Sequence, residues 1–123
     1  MSDCCKGGTK LVYACSGGSN VGQIANEVAK NLTTEGFAKM TCGIALGANL
    51  SGFIVSAENA DKNIVIDGCT VGCLKKVFEN HKISNYDYYV ITEMGIEKNK
   101  NFVIDLEDIY RIKELIKTQG NKI

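Results

Sequence analysis

Four cysteines follow, or lie just after, short apolar segments that are typical of buried strands: Cys15, Cys42, Cys69 and Cys73. In a parallel α/β sheet the carboxyl ends of neighbouring strands lie side by side, about 4.8 Å apart, so residues distant in sequence meet at one edge. Thiolates that meet there bind soft metals or carry out redox chemistry. The positions of these cysteines therefore predict a single thiol cluster.

Strand-like and helix-like segments alternate along the chain, and these are the elements that must position the cluster. Strands are predicted over residues 10–14, 38–42, 63–67 and 88–92. Apolar residues recur at helical spacing from about Asn20, behind Ser51, beyond Cys69 and from Asp105. Residues 102–104 fit either a stub strand or a packed loop. The inward faces of the last two helices are predicted to be Val71, Leu74, Val77 and Phe78, and then Leu106, Ile109, Ile112, Leu115 and Ile116.

Helix boundaries are also marked in the sequence. Asn20 with Gln23 three residues later is typical of a capping box, and Gly36 suits the left-handed end of the first helix. Asp67 could cap the helix that follows it or accept a hydrogen bond from a ligand, and the residue type alone leaves both uses open.

The alternation predicts an α/β fold: a single three-layer, Rossmann-like domain with a mostly parallel four-stranded sheet and helices on both faces. We expect the strand order 2-1-3-4, which places Cys42, Cys15 and Cys69 on three adjacent strand ends. The reversal of strand order makes a crevice beside Cys15 and Cys69. The domain is expected to span residues 10–123, after a flexible tail over residues 1–9.

Composition excludes several partner classes. The chain has 123 residues, of which 45% are apolar, and its 14 basic and 14 acidic side chains give a pI near 6.6. This balance predicts no nucleic-acid partner, and the absence of a long apolar run predicts no membrane segment. The sequence indicates a cytoplasmic protein, where its 6 cysteines would stay reduced. The oligomeric state is left open.

Cys69 and Cys73 form the sharpest local pair, because Cys69 is expected to close a strand and Cys73 to lie one helical turn later. A tetrahedral zinc ion, with Zn–S distances of about 2.3 Å, would be closed by the other two thiols. Helix N-termini favour thiolates, and the N–H groups of Gly17, Gly18 and Gly43 would hydrogen-bond the sulfurs.

These residues resemble the DGC-domain family, which is named for an Asp-Gly-Cys tripeptide. The resemblance rests on residues 15–23 (CSGGSNVGQ), on Cys42 between Thr41 and Gly43, and on residues 67–69 (DGC) followed by Cys73. It covers about residues 10–118. The resemblance implies zinc binding through four cysteines and leaves the reaction open. Motif matching places the ligands at Cys15, Cys42, Cys69 and Cys73.

Two alternative functions use the same thiols. Cys69 and Cys73 could act as a thiol–disulfide redox pair, although three intervening residues differ from the usual C-x-x-C spacing. A soft-metal carrier or sensor is the other alternative, in which Cys4 and Cys5 hand an ion to the fixed site. We expect this vicinal pair to lie on a mobile tail and not to be a permanent ligand set. A small anionic or thiol ligand is compatible with the edge of the sheet.

Other residues and chemistries carry less weight. Lys98 could offset thiolate charge or bind an anion, although a solvated lysine is the simpler interpretation. His81 is the only histidine and is expected at the far end of a helix, remote from Cys69 and not a ligand.

A Cys15 phosphatase is excluded because Val21 stands where that class needs arginine, and no nucleotide-binding motif is present. A hydrolase would need His81 beside its nucleophile.

Overall fold

The computed structural model describes residues 9–120 of the chain. Cys4 and Cys5, and the expected flexibility of the segment that carries them, lie outside the described residues. Thr9 is held against the start of the third strand: its N–H donates to Asp61 Oδ2 at 2.6 Å, and its carbonyl accepts the N–H groups of Asp61 and Lys62.

Four parallel strands form one sheet in the order β2-β1-β3-β4, so the predicted α/β architecture and strand order are confirmed. The strands are β1 (Lys10–Ala14), β2 (Lys39–Met40), β3 (Lys62–Asp67) and β4 (Tyr86–Val90). The two central strands pair over their whole length, from Lys10 with Lys62 to Ala14 with Ile66. This register brings the ends of β1 and β3 to the same level.

Within the described residues, five α-helices cover the two faces of the sheet, in agreement with the three-layer prediction. They are α1 (Asn20–Thr34), α2 (Gly43–Gly47), α3 (Ser51–Asn59), α4 (Cys73–Asn80) and α5 (Leu106–Gly120). Side chains of α1 and α5 pack with Val12 and Ile66 on one face, whereas those of α2, α3 and α4 pack with Leu11 and Tyr13 on the other. Alternate residues of β1 therefore serve two separate apolar clusters.

Two strands differ from the sequence prediction. Strand β2 has only 2 residues, because the chain turns at Cys42 into α2, a short helix that sequence periodicity missed. Strand β4 begins at Tyr86 and ends at Val90, and a 3-10 turn over Ile91–Met94 replaces the predicted last residues. Residues 102–104 form a loop, so the ambiguity over this segment is resolved.

The predicted helix faces also need correction. Val71 is 70% exposed, because it precedes α4 in a turn instead of lying on the helix. On α5, Leu106 is 78% and Leu115 is 39% exposed, so the buried stripe is narrower than predicted. The buried apolar positions of α5 are Ile109, Ile112 and Ile116.

The ends of α1 confirm one boundary prediction and correct the other. Gly36 has φ +81, so it adopts the left-handed conformation expected after the helix. The N-cap is Ser19 and not Asn20: Ser19 Oγ accepts the N–H of Gly22 at 3.2 Å. Asn20 is thereby left free for a different contact, described below.

None of the helices within residues 9–120 is long and apolar enough to cross a membrane.

Candidate functional site

Cys15, Cys42, Cys69 and Cys73 all lie at or just beyond the carboxyl edge of the sheet, and all four are free thiols. Cys15 follows β1, Cys42 caps the N-terminus of α2, Cys69 lies two residues beyond β3, and Cys73 is the first residue of α4. Cys42 and Cys73 are exposed, whereas Cys15 and Cys69 are partly buried. Four different segments thus bring thiols to the same end of the fold.

Three of these cysteines line a single cavity of about 990 Å³ beside α2 and α4. They are Cys15, Cys42 and Cys73, and Cys69 is not among the lining residues. The remaining wall is mostly apolar and consists of Ala14, Ser16, Met40, Thr41, Gly43, Ile44, Gly47, Ala48, Phe53, Leu74 and Val77. Three thiols therefore lie in one cavity with a mostly apolar wall, which was not predicted from the sequence.

Cys15 faces the cavity because it continues the alternation of β1. Leu11 and Tyr13 point to the α4 side of the sheet, and Cys15 packs against the same apolar cluster. Its N–H donates to the carbonyl of Ile66 at 3.1 Å, which extends the ladder beyond the assigned strand. The N–H of Gly68 donates to Cys15 Sγ at 3.3 Å. Glycine N–H donors to sulfur were predicted: the Gly17 N–H also acts on Cys15, as expected, whereas Gly68 was not among the residues proposed.

Opposing effects act on the ionisation of Cys15. Burial raises the pKa of its thiol above the ordinary value, and the N–H groups of Gly17 and Gly68 oppose this shift. The charges at Asp67 and Cys73 raise this pKa further. Burial thus favours the neutral thiol of Cys15, while the N–H groups of Gly17 and Gly68 favour its thiolate.

Asp67 organises the start of α4, and so places Cys73. Its two carboxylate oxygens accept the N–H groups of Leu74 and Lys75 at 3.0 and 3.1 Å. Tyr88 donates its hydroxyl hydrogen to Oδ2 at 2.7 Å. The capping interpretation is therefore confirmed, although Asp67 acts across the turn that separates β3 from α4 and not from the adjacent position.

That turn alters the predicted relation between Cys69 and Cys73. Strand β3 was expected to lead straight into the helix, with both cysteines on one helical turn. Instead, residues 69–72 form a turn closed by the hydrogen bond from Gly72 N to Cys69 O at 3.2 Å, and Gly72 has φ +69. Cys69 therefore ends on the other side of the sheet, packed against the α1 and α5 cluster.

Lys98 contacts the thiol of Cys69, with Nζ 3.4 Å from Sγ. The lysine is thus placed to offset thiolate charge, as one of the two sequence interpretations expected. Asn20 fixes the loop that carries it: its Nδ2 donates to Glu97 O at 2.8 Å, and its Oδ1 accepts Asn99 N–H at 2.6 Å. The sequence indicated Asn20 only as a cap, because the partners lie more than 75 residues away.

Two glycines allow the turn after β1 to approach the end of β3. A Cβ on Gly22 would lie 2.6 Å from backbone atoms of Gly17, and one on Gly68 would lie 2.7 Å from Gly22 N. Such contacts are too short for any side chain. Gly22 and Gly68 therefore allow close backbone packing between α1 and the ends of the strands.

His81 is the C-cap residue of α4, and its Nε2 lies 2.8 Å from Leu46 O. The histidine thus ties the end of α4 to α2, the helix that Cys42 caps. Its position at the far end of α4 agrees with the expectation from the sequence.

Thiols are suitable ligands for a soft metal ion, but the structure does not bring these cysteines together into a complete coordination site. Within residues 9–120, no group of three or more His, Cys, Asp or Glu side chains is assembled closely enough to hold a metal ion. Cys42 and Cys73 are exposed and border the same cavity as Cys15, so rotation of their side chains is unhindered by core packing. By donor chemistry, the thiols are of the type that suits zinc or another soft metal.

The chain is similar to a protein of Pseudomonas aeruginosa (strain PAO1), the anaerobic and virulence modulator AnvM: the two are 30% identical over 115 residues, which cover 91% of this chain and 88% of that protein. No solved structure matches the chain. The profile of the DGC domain matches residues 11–116, nearly all of the described fold. The chain therefore belongs to the DGC domain family.

Proposed function

We propose that this protein binds zinc, or a comparable soft divalent ion, through cysteine thiolates at the carboxyl edge of its sheet. The observation that carries the proposal is the arrival of Cys15, Cys42 and Cys73 from three separate segments at one cavity. Each thiol gives up its proton to solvent when it ligates the ion, so affinity rises with pH.

The surroundings of the thiols favour ligation over a purely structural role. A cysteine that acts as a small apolar residue is normally buried, but Cys42 and Cys73 are exposed. The Gly68 N–H that reaches Cys15 Sγ supplies the kind of donor that steadies a metal-bound thiolate. The four-cysteine ligand set expected from the sequence, with Cys69 included, stays a prediction.

The P. aeruginosa relative is named as a modulator. We extend a modulating role to the present chain, and together with the proposed metal site this favours a sensor or carrier over a catalyst. A cytoplasmic location fits the proposal, because reduced thiols are needed for the site to load.

Elemental analysis tests the proposal directly. The full chain is purified without added metal in the presence of a phosphine reductant, and metal content and free thiols are measured on the same sample. We expect about one zinc ion per chain and thiols protected from alkylation until a chelator is added. A metal-free protein with all thiols reactive would overturn the proposal, and reversible oxidation of Cys69 and Cys73 would then favour the redox alternative.

A pair of variants tests which thiols matter. Cys73→Ser should lower zinc affinity more than about 100-fold, beyond the loss typical of a disturbed outer-shell partner. Cys73 is fixed on α4, which Leu74 and Phe78 anchor in the core. In the matched control, Cys4 and Cys5 are changed together to Ser. The zinc affinity of this variant should stay within about threefold of the wild-type value. Competition with a chromophoric chelator at one pH measures both, and equal losses would contradict this choice of ligands.

A further inference from the structure

We infer that Cys15 and Cys73 form a reversible dithiol–disulfide couple that hydroperoxides oxidise. The disulfide joins the end of β1 to the start of α4 beside the cavity that both cysteines line. This inference goes beyond the proposed metal binding. It also differs from the redox alternative suggested by the sequence, in which Cys73 pairs with Cys69.

The first argument is the position of Cys15 beside Asp67. The register of β1 and β3 ends with Ala14 paired to Ile66. Cys15 and Asp67 are the next residues, and the N–H of Cys15 donates to the carbonyl of Ile66 at 3.1 Å, so the pairing continues beyond the register. Residues at the same level of neighbouring parallel strands lie about 4.8 Å apart and point to the same face. The Gly68 N–H that donates to Cys15 Sγ at 3.3 Å agrees with this position.

The second argument is that Asp67 also holds the start of α4. Its carboxylate accepts the N–H groups of Leu74 and Lys75 at 3.0 and 3.1 Å. Cys73 immediately precedes these two residues and is the first residue of the helix. The same aspartate therefore lies beside Cys15 and contacts the turn that carries Cys73. Both cysteines also line one cavity, so their side chains border common space.

The third argument concerns access to the two thiols. Cys73 is exposed, whereas Cys15 is partly buried, so an oxidant in solution reaches Cys73 first. The cavity has a volume of about 990 Å³, which leaves room for both side chains to rotate, and no charged side chain lines it. Burial raises the pKa of the Cys15 thiol, and the charge of Cys73 raises it further, so the two sulfurs lie within electrostatic range of each other.

The reaction transfers two electrons from the two sulfurs to the peroxide. The Cys73 thiolate attacks one oxygen of the hydroperoxide, the O–O bond breaks, and Cys73 becomes a sulfenic acid. The Cys15 thiolate then attacks the Cys73 sulfur, so that the S–S bond forms as the S–O bond breaks. The two thiol protons released to solvent balance those taken up by the leaving alkoxide or hydroxide of the first step and the hydroxide of the second. A dithiol in solution restores both thiols by exchange.

Peptide mapping of the oxidised protein tests the inference. The full chain is treated with a chelator, freed of reductant and given an equimolar amount of hydrogen peroxide, and the remaining thiols are alkylated before digestion. We expect the main product to link Cys15 to Cys73 and to disappear when dithiothreitol is added. Tandem mass spectrometry locates the bridge, because the tryptic peptide over residues 63–75 carries both Cys69 and Cys73.

Two outcomes of this map would overturn the inference. One is a main product that links any other pair of cysteines, and the other is Cys73 oxidised to its sulfinic acid without a bridge. Because the sample has been treated with a chelator, neither outcome depends on zinc binding. The metal content before that treatment reports separately on the proposed function.

Serine variants distinguish this pair from the third thiol of the cavity. Cys15→Ser should stop at a Cys73 sulfenic acid, which dimedone traps, and Cys15→Ala repeats the test if serine disturbs the packing. Cys73→Ser should consume hydrogen peroxide at least about tenfold more slowly, because the exposed attacking thiol is lost. Cys42→Ser is the matched control: Cys42 is exposed and lines the same cavity, and its loss should leave the yield of the bridge within about twofold. Loss of the bridge in Cys42→Ser, or an unchanged rate in Cys73→Ser, would contradict the inference.

Discussion

The cysteines on the two faces of the sheet differ in their exposure and in their contacts. On the α1 and α5 face, Val21, Val28 and Ile112 are fully buried, and Cys69 lies between this core and a lysine. On the α4 face, Cys42 and Cys73 are exposed around an open apolar cavity. The comparison indicates that one face supplies rigidity and that the other supplies access, and a binding site needs both.

The largest expected effect on stability is that of substituting Gly68, which lies where the end of β3 approaches the backbone of α1. Gly68→Ala should destabilise the fold by about 3 kcal/mol or more, because its Cβ would meet backbone atoms of α1 at 2.7 Å. It should also loosen the N–H contact to Cys15 and weaken zinc binding. Gly18→Ala is the matched control, since nothing lies within 4 Å of a Cβ there. Thermal unfolding measures the stability of both variants, and chelator competition measures their zinc affinity. Equal results for the two variants would contradict the role assigned to this close backbone contact.

Asp67 gives the next largest effect, because it is 1% exposed and accepts three hydrogen bonds. Asp67→Ala should cost about 2–4 kcal/mol of unfolding free energy, since it leaves the N-terminus of α4 without its acceptor. Tyr88→Phe removes one of the three bonds and should cost about 1–2 kcal/mol. Denaturant unfolding checks the order, and zinc affinity should fall more for Asp67→Ala because Cys73 lies at the freed helix start. A larger loss for Tyr88→Phe would contradict this assignment.

Much of this architecture could be predicted because it depends on local sequence periodicity. Alternating β and α patterns predicted a parallel α/β sheet, and the expected strand order 2-1-3-4 is confirmed. The position of four cysteines after apolar segments correctly placed them at one edge of the sheet.

The division of the thiols could not be predicted, because it depends on a turn and on distant contacts. Gly72 adopts φ +69 before α4, which redirects the chain between Cys69 and Cys73. No periodic pattern specifies that conformation. Likewise, the pairing of Lys98 with Cys69 depends on the loop anchored by Asn20, whose partners are remote in sequence. The apolar spacing also predicted wrongly that Leu106 and Leu115 face inward. The spacing of apolar residues on a helix does not show how much of the helix surface the neighbouring elements cover.

The smallest expected effect lies on the rigid face, at the ion cluster that ties the end of α1 to α5. Hydrogen bonds from the Lys113 and Lys117 ammonium groups lower the pKa of Glu35 below its ordinary value. A carboxylate whose pKa is lower in the folded than in the unfolded protein adds stability above the unfolded value, about 4.3, and loses it as pH falls through the folded value.

Glu35→Gln should therefore lower the melting temperature slightly at pH 7, and the difference from wild type should shrink as the pH falls through the folded-state pKa of Glu35. Glu27→Gln is the control, because Glu27 pairs with Lys30 in an exposed i,i+3 geometry that contributes little. Calorimetry over a series of pH values from 7 downwards, with zinc content measured at pH 7, provides the readouts. Because this cluster joins α1 to α5 on the face opposite the cavity, Glu35→Gln should leave zinc content unchanged. A loss of zinc in this variant would show that the two faces are coupled and that their division of roles is wrong.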